Sequence, residues 1–318
     1  MLLFAMQASH DFGARLAAEF GVPLAPLEER DFDDREHKAR PLVDVRGVAA
    51  CIVQSLHGDP RASAADKLLR LLFFAATLRD HGAARVTAVI PYLAYARKDR
   101  RTQPFDPVTS RYVAQLIEAA GVDGVVVGEA HNVAALDNAF RIPLVHVSAA
   151  PVLAAAIAAR AGDEPLVVAS PDPGGIKRAQ LFRETLVPLL GRDCGSAYLE
   201  KRRAGGVVSG SLLAGDVAGS TVVLVDDLIS TGGTLLRAAR TCLEYGARRV
   251  LACAAHGVFS AGAEQALLDP ALAQVLISDS VAPQRLGAAA QERVQVVPSA
   301  SLFATAIRDW HGGTRAFI

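Results

Sequence analysis

The segment TVVLVDDLISTGGTLLRAAR (221–240) decides the reading of the fold. An apolar, β-branched run ends in two adjacent carboxylates, Asp226 and Asp227. A small hydroxyl-rich loop follows, Ser230-Thr231-Gly232-Gly233-Thr234, and a helical pattern starts at once. A helix N-terminus offers unpaired backbone N–H groups and the positive end of the macrodipole, so it suits a phosphate. Glycines let the backbone wrap an anion closely, and the hydroxyls add donors. The carboxylates would repel a phosphate; they suit neighbouring sugar hydroxyls, to which they offer acceptors, or a hydrated Mg²⁺. Phosphate on one side and diol on the other is the outline of ribose 5-phosphate. The loop is not a Walker A loop, because no Lys-Ser/Thr pair follows a G-x-x-x-x-G run. No G-x-G-x-x-G stands at a strand-to-helix junction either, so a dinucleotide fold lacks support.

Outward from this loop, short β-branched runs alternate with longer segments of helical periodicity. The strands expected are CIVQS (51–55), RVTAVIP (85–91), GVVVGEA (124–130), PLVVASP (165–171), TVVLVDD (221–227) and RVLACAA (249–255). The helices between them, such as 64–82 and 234–246, carry apolar residues at helical spacing and end in glycine. Strand–helix–strand alternation along the whole chain predicts an α/β protein with mostly parallel sheets flanked by helices. LRDHGAARVTAVIP (78–91) echoes CLEYGARRVLACAA (242–255), pairing Gly82 with Gly246, Arg85 with Arg249 and Val86 with Val250. Pro91 to Arg97 and Pro171 to Lys177 repeat a second spacing. The two echoes imply a duplicated domain: residues 1–148, and 149–318 with a last segment open to packing on the first domain. The acidic-pair, Gly-Gly loop occurs in the second half alone, since LHGDPRASAADK (56–67) follows the matching strand in the first. One ribose-phosphate site per chain is expected, and the first half is left to a nucleotide.

The 318 residues hold 33 Lys+Arg against 33 Asp+Glu, which argues against a basic nucleic-acid binder and against an acidic tail. Hydrophobic residues at 51% supply two cores, so disorder is not expected. The first residues lack a basic region followed by an apolar one, and no window carries about 18 uninterrupted apolar residues, so neither a signal peptide nor a membrane span is expected. Cys51, Cys194, Cys242 and Cys253 lie far apart without C-x-x-C or Cys/His ligand spacing. Reduced thiols in a cytoplasmic protein are the expectation.

The loop resembles the phosphoribosyl diphosphate signature shared by phosphoribosyltransferases and ribose-phosphate diphosphokinases. The resemblance to the diphosphokinases runs over almost the full length: VRGVAACIVQS (45–55), VIPYLAYARKDR (89–100), GEAHN (128–132), VVASPDPGGIKRA (167–179), YLEKRR (198–203) and HGVFSAGA (256–263) have counterparts there in the same order. It implies two tandem phosphoribosyltransferase-like domains and transfer of the β,γ-diphosphate of ATP to the anomeric hydroxyl of ribose 5-phosphate. Asp226, Asp227, Ser230, Thr231, Gly232, Gly233 and Thr234 would hold ribose 5-phosphate; Phe32, Asp34, Glu36, Arg97, Lys98 and Asp99 would hold ATP. His131 and Asp172 would hold Mg²⁺, and Lys201 and Arg203 would be the catalytic cations over the transferring phosphates. A homo-oligomer is implied as well.

Departures from the family pattern are local. Where Phe-Pro-Asp-Gly-Glu is usual, the chain reads Phe32-Asp33-Asp34-Arg35-Glu36, and Arg35 is expected to change the local backbone or shape. Lys98 stands where glutamine is common, Ser230 where an acidic residue is usual, and Gly232 where cysteine is common. The last two bring the loop closer to that of the transferases. Three other readings stay open: a non-catalytic regulatory paralogue, a phosphoribosyltransferase, and a diphosphokinase with another substrate.

Overall fold

The computed structural model describes residues 1–204 and 207–312, the side chains of 201–211 excepted. The chain divides into two units, Met1–Ser148 with Ala300–Ile318, and Ala149–Ser299. The first opens with β1 (Leu2–Ala5) and α1 (His10–Phe20), then a hairpin of β2 (Leu27–Asp31) and β3 (His37–Pro41). There follow β4 (Ala49–Val53), α2 (Ala64–Asp80), β5 (Arg85–Ile90), α3 (Thr109–Ala119), β6 (Gly124–Gly128), α4 (Val133–Ala139) and β7 (Leu144–Val147). All but the hairpin strands form one parallel sheet in the order β1-β4-β5-β6-β7. A parallel sheet covered on both faces needs strands that are largely apolar, as β4 and β6 are throughout and β5 is apart from Arg85 and Thr87. α2, α3 and α4 pack on one face, where Phe74 meets Phe4 edge-on at 5.3 Å. α2 is pinned at its start by a capping box between Ser63 and Asp66, a feature that contributes about 1 kcal/mol.

The second unit holds α5 (Ala150–Ala158), β8 (Leu166–Ser170), α6 (Ile176–Leu190), β9 (Gly195–Ala204), β10 (Val207–Ala214), β11 (Thr221–Ile229), α7 (Gly233–Glu244), β12 (Arg249–Gly257), α8 (Ala263–Leu268), β13 (Gln274–Ser278), α9 (Ala288–Gln291) and β14 (Val294–Val297). Its sheet runs β10-β9-β8-β11-β12-β13-β14 and is parallel except for the antiparallel pair β9–β10. The chain then forms α10 (Ala300–His311), which belongs to the first unit and covers the free face of its sheet beside α1. There Phe12 and Phe303 meet edge-on at 5.2 Å.

The duplication is visible bond by bond. Gly47 N–H donates to the Gly82 carbonyl at 2.8 Å, and Gly219 N–H donates to the Gly246 carbonyl at 2.8 Å. Val48 N–H reaches Val45 O and Ser220 N–H reaches Val217 O, both at 3.1 Å. Gly82 and Gly246 share a left-handed backbone, with φ of +84° and +89°, which is why each helix stops at glycine. The strand–helix unit β4–α2–β5 of one half is therefore the counterpart of β11–α7–β12 in the other.

Candidate functional site

The acidic pair sits at the end of β11, with Asp226 directly opposite Ala254 of β12. β11 runs on to Ile229, past the expected end at Asp227, because β12 continues beside it to Gly257. The zipper extends into the loop: Phe259 N–H donates to Ile229 O at 3.0 Å and Ser260 N–H to Ser230 O at 2.9 Å. The Ser230 hydroxyl is 2.9 Å from that of Ser260, so it anchors the loop base to the segment after β12. Gly232 is left-handed at φ +74°, and a Cβ there would stand 2.7 Å from the Ala266 Cβ. Only glycine meets both demands. Gly233 and Thr234 then open α7, with the Thr234 hydroxyl accepting from Arg237 at 3.3 Å.

Asp227 is nearly inaccessible and Asp226 half-buried. Asp227 N–H donates to Asp226 Oδ1 at 2.9 Å. Burial first, and then the neighbouring Asp227 carboxyl, push the Asp226 carboxyl up to about 7. Arg178 opposes this: its Nη1 lies 3.8 Å from Asp226 Oδ1 and 3.6 Å from Asp227 Oδ1. Sequence reasoning did not single out Arg178, although GGIKRA places an arginine one turn into the helix that follows the glycine pair. The structure thus gathers Asp226, Asp227 and Ser230–Thr234 at one strand end and one helix start.

The residues expected at a nucleotide divide between two elements of the first unit. Phe32, Asp34 and Glu36 form the tip of the β2–β3 hairpin, closed by Phe32 N–H to Glu36 O at 2.9 Å and Glu36 N–H to Asp34 Oδ1 at 3.1 Å. Arg30 stacks its guanidinium 4.9 Å over the Phe32 ring. Arg35 takes φ +71°, the left-handed conformation that glycine adopts freely, at a cost of about 1 kcal/mol. Arg97, Lys98 and Asp99 lie in the loop after β5, where Arg97 is exposed. Lys98 is engaged within the loop, bonding the Asp106 carboxylate and the Thr102 hydroxyl. That ammonium, with Thr102 and backbone donors, holds the Asp106 carboxyl far below the usual range.

Asp99 accepts from Asn132 Nδ2 at 2.7 Å, and Asn132 in turn caps α4 by accepting from Ala135 N–H at 3.2 Å. Asn132 thereby couples the Arg97–Asp99 loop to the exposed His131 beside it. Sequence reasoning passed over Asn132, though asparagine ahead of an apolar run is a strong N-cap signal. On the other unit, Asp172 caps a 3₁₀ turn, its Oδ1 accepting from Gly174 N–H at 3.0 Å. Among the described residues no group of three or more His, Cys, Asp or Glu side chains gathers to hold a metal. Asp172 offers a half-buried carboxylate and His131 an exposed imidazole. Each taken alone is one donor, and a hard cation such as Mg²⁺ held by so few protein ligands keeps water and substrate oxygens in its shell. Lys201 and Arg203 fall on β9, and their side chains lie outside the described residues.

Residues 1–121 match the family model described as the N-terminal domain of ribose phosphate pyrophosphokinase, and residues 147–288 match that of the phosphoribosyl transferase domain. The chain is 35% identical over 314 residues to the ribose-phosphate pyrophosphokinase of Caldanaerobacter subterraneus, covering 98% of this chain and 95% of the relative. It is 38% identical over 282 residues to the same enzyme of Gloeobacter violaceus, covering 88% and 81%. A crystal structure of phosphoribosylpyrophosphate synthetase from Mycobacterium smegmatis superposes with a TM-score of 0.87 at 30% identity, over 98% of this chain and 99% of that one. The chain belongs to the ribose-phosphate pyrophosphokinase family of enzymes.

Proposed function

We propose that the chain transfers the β,γ-diphosphate of ATP to the anomeric hydroxyl of ribose 5-phosphate, with the acceptor held by the second unit and the nucleotide by the first. The anomeric oxygen attacks the β-phosphorus and gives up its proton to solvent, the bond from the β-phosphorus to the α,β-bridging oxygen breaks, and AMP leaves. Phosphoribosyl pyrophosphate is the other product. Chemistry of this kind needs positioning and charge neutralisation more than covalent help.

The observation that carries the reading is the junction of β11 and α7. Backbone N–H groups and hydroxyls of Thr231–Thr234 receive the 5-phosphate, while Asp226 and Asp227 accept from the ribose hydroxyls. The Asp226 carboxyl, pushed up to about 7, is relieved by just such donors. Phe32, Asp34, Glu36, Arg97 and Asp99 take ATP, with the exposed Phe32 ring offered to the base and Arg97 to phosphate. Lys98, which also bonds Asp106 within the loop, belongs with them at the nucleotide. Lys201 and Arg203 neutralise charge spreading over the transferring phosphates. His131 and Asp172 are the proposed Mg²⁺ ligands. When bound, the ion would offset negative charge on the transferring phosphates.

We also place the enzyme in the cytoplasm, on four buried cysteines that form no disulfide, and expect self-association from the family resemblance. No helix among the described residues is long and apolar enough to cross a membrane. The test is AMP release from ATP that requires both ribose 5-phosphate and Mg²⁺. ATP left untouched while phosphoribosyl pyrophosphate and a nucleobase are consumed would favour a transferase instead.

A further inference from the structure

Away from the substrate loops, three sulfur and nitrogen donors converge at the first sheet. Cys51 on β4 is fully buried in the cluster that α1 and α10 cover. The Met1 thioether Sδ is 3.4 Å from Cys51 Sγ. His311, the last residue of α10, brings its Nε2 to 3.8 Å from the same sulfur. The remaining cysteines, Cys194, Cys242 and Cys253, all belong to the second unit.

Both separations to the Cys51 sulfur are compatible with ligands around one ion. An ion about 2.3 Å from sulfur and about 2.0 Å from imidazole nitrogen, with the donors about 120° apart, sets S and N about 3.7 Å apart. The observed value is 3.8 Å. With the same bond lengths, the 3.4 Å S···S separation corresponds to an angle of about 95°, which a small rotation of the exposed Met1 side chain opens. A metal ion displaces the thiol proton of cysteine as it binds. Met1 is exposed and His311 half-buried, so an ion can enter from solvent while the sulfur of Cys51 sits dry at the base. Thiolate, thioether and imidazole without a carboxylate form a soft donor set, which selects Cu(I) over Mg²⁺ or Ca²⁺.

We propose that Met1 Sδ, Cys51 Sγ and His311 Nε2 form a three-coordinate site for a soft monovalent cation, Cu(I). Binding breaks the S–H bond of Cys51, forms a Cu–S bond and releases the proton to solvent. Copper enters and remains as Cu(I), so no electron is transferred.

The experiment is an anaerobic titration of the full chain with Cu(I) in competition with bicinchoninate, followed by copper-edge X-ray absorption. The expected result is one equivalent per chain with two sulfur scatterers and one nitrogen. Cys51→Ser and His311→Ala should each weaken binding by about 100-fold through loss of one of three ligands. His311 ends a helix and is not in the substrate machinery, so His311→Ala should keep AMP-forming activity and a native unfolding transition. Absence of stoichiometric binding by the wild type would overturn the site. So would a His311→Ala protein that binds as tightly as wild type, or a copper shell of thiolates alone.

Discussion

The Lys67 ammonium is fully buried and lies 2.6 Å from the Asp59 carboxylate, in the loop between β4 and α2. The second half uses the matching place, between β11 and α7, for the Ser230–Thr234 loop. In the first half the turn supplies its own anion: Asp59 Oδ1 accepts from Arg61 N–H at 2.7 Å and Ala62 N–H at 2.9 Å, and Lys67 neutralises it. Burial pushes the Asp59 carboxyl up, but Lys67 and the two backbone donors outweigh it and hold the carboxyl at about 2.

Removing one partner strands the other charge. Lys67→Met should cost about 3 kcal/mol or more of stability, read as a lowered midpoint in urea with an unchanged slope. Lys67→Met with Asp59→Asn should recover part of this, and only part, because Asp59 also serves the two N–H groups. The Asp59 contribution is complete above its unfolded pKa near 4 and is lost as pH falls toward 2, so wild-type stability should decline across that window.

Asp226 runs the opposite way. Its folded pKa, about 7, lies above the unfolded carboxyl value of about 4. Between those values the folded chain keeps a proton that the unfolded chain has lost, so substrate-free stability should fall as pH rises through the window. Melting temperatures from about pH 5 to about pH 7 should show the decline, and Asp226→Asn should flatten it. A decline unchanged in the variant would assign it to another group.

Gly232 should resist any side chain. Gly232→Ala places a Cβ 2.7 Å from that of Ala266 on a left-handed backbone, and should cost about 2 kcal/mol. As the loop shifts, the KM for ribose 5-phosphate should rise by more than that for ATP. Gly232→Cys, the residue common in the family, should behave likewise.

Arg35 predicts the reverse sign. Arg35→Gly removes a left-handed arginine at φ +71° and should stabilise the chain by about 1 kcal/mol. A higher urea midpoint checks this; a lower one would show that the Arg35 side chain contributes more than its backbone costs.

What the sequence carried openly was whatever repeats at a fixed period. Apolar runs at β5, β6, β8, β11 and β12 and the glycines closing α2 and α7 are local signals that tertiary packing reinforces. The β2–β3 hairpin was not legible, since LEERD and HKARP are charged and are held by cross-strand pairs such as Arg40 to Glu28 at 2.6 Å. The strands β1, β7 and β14 have four residues each, too few for a periodic pattern to stand out. At the site, Asp226, Asp227 and the glycine pair announce themselves because their chemistry is contiguous in the chain. Arg178 and Asn132 do not, because each acts through partners distant in sequence.

Crystals soaked with ribose 5-phosphate test the central claim most directly. The account predicts the 5-phosphate among the backbone N–H groups of Thr231–Thr234, with ribose hydroxyls donating to Asp226 and Asp227. A sugar phosphate bound elsewhere with that loop empty, or bound with its hydroxyls turned away from both carboxylates, would contradict it.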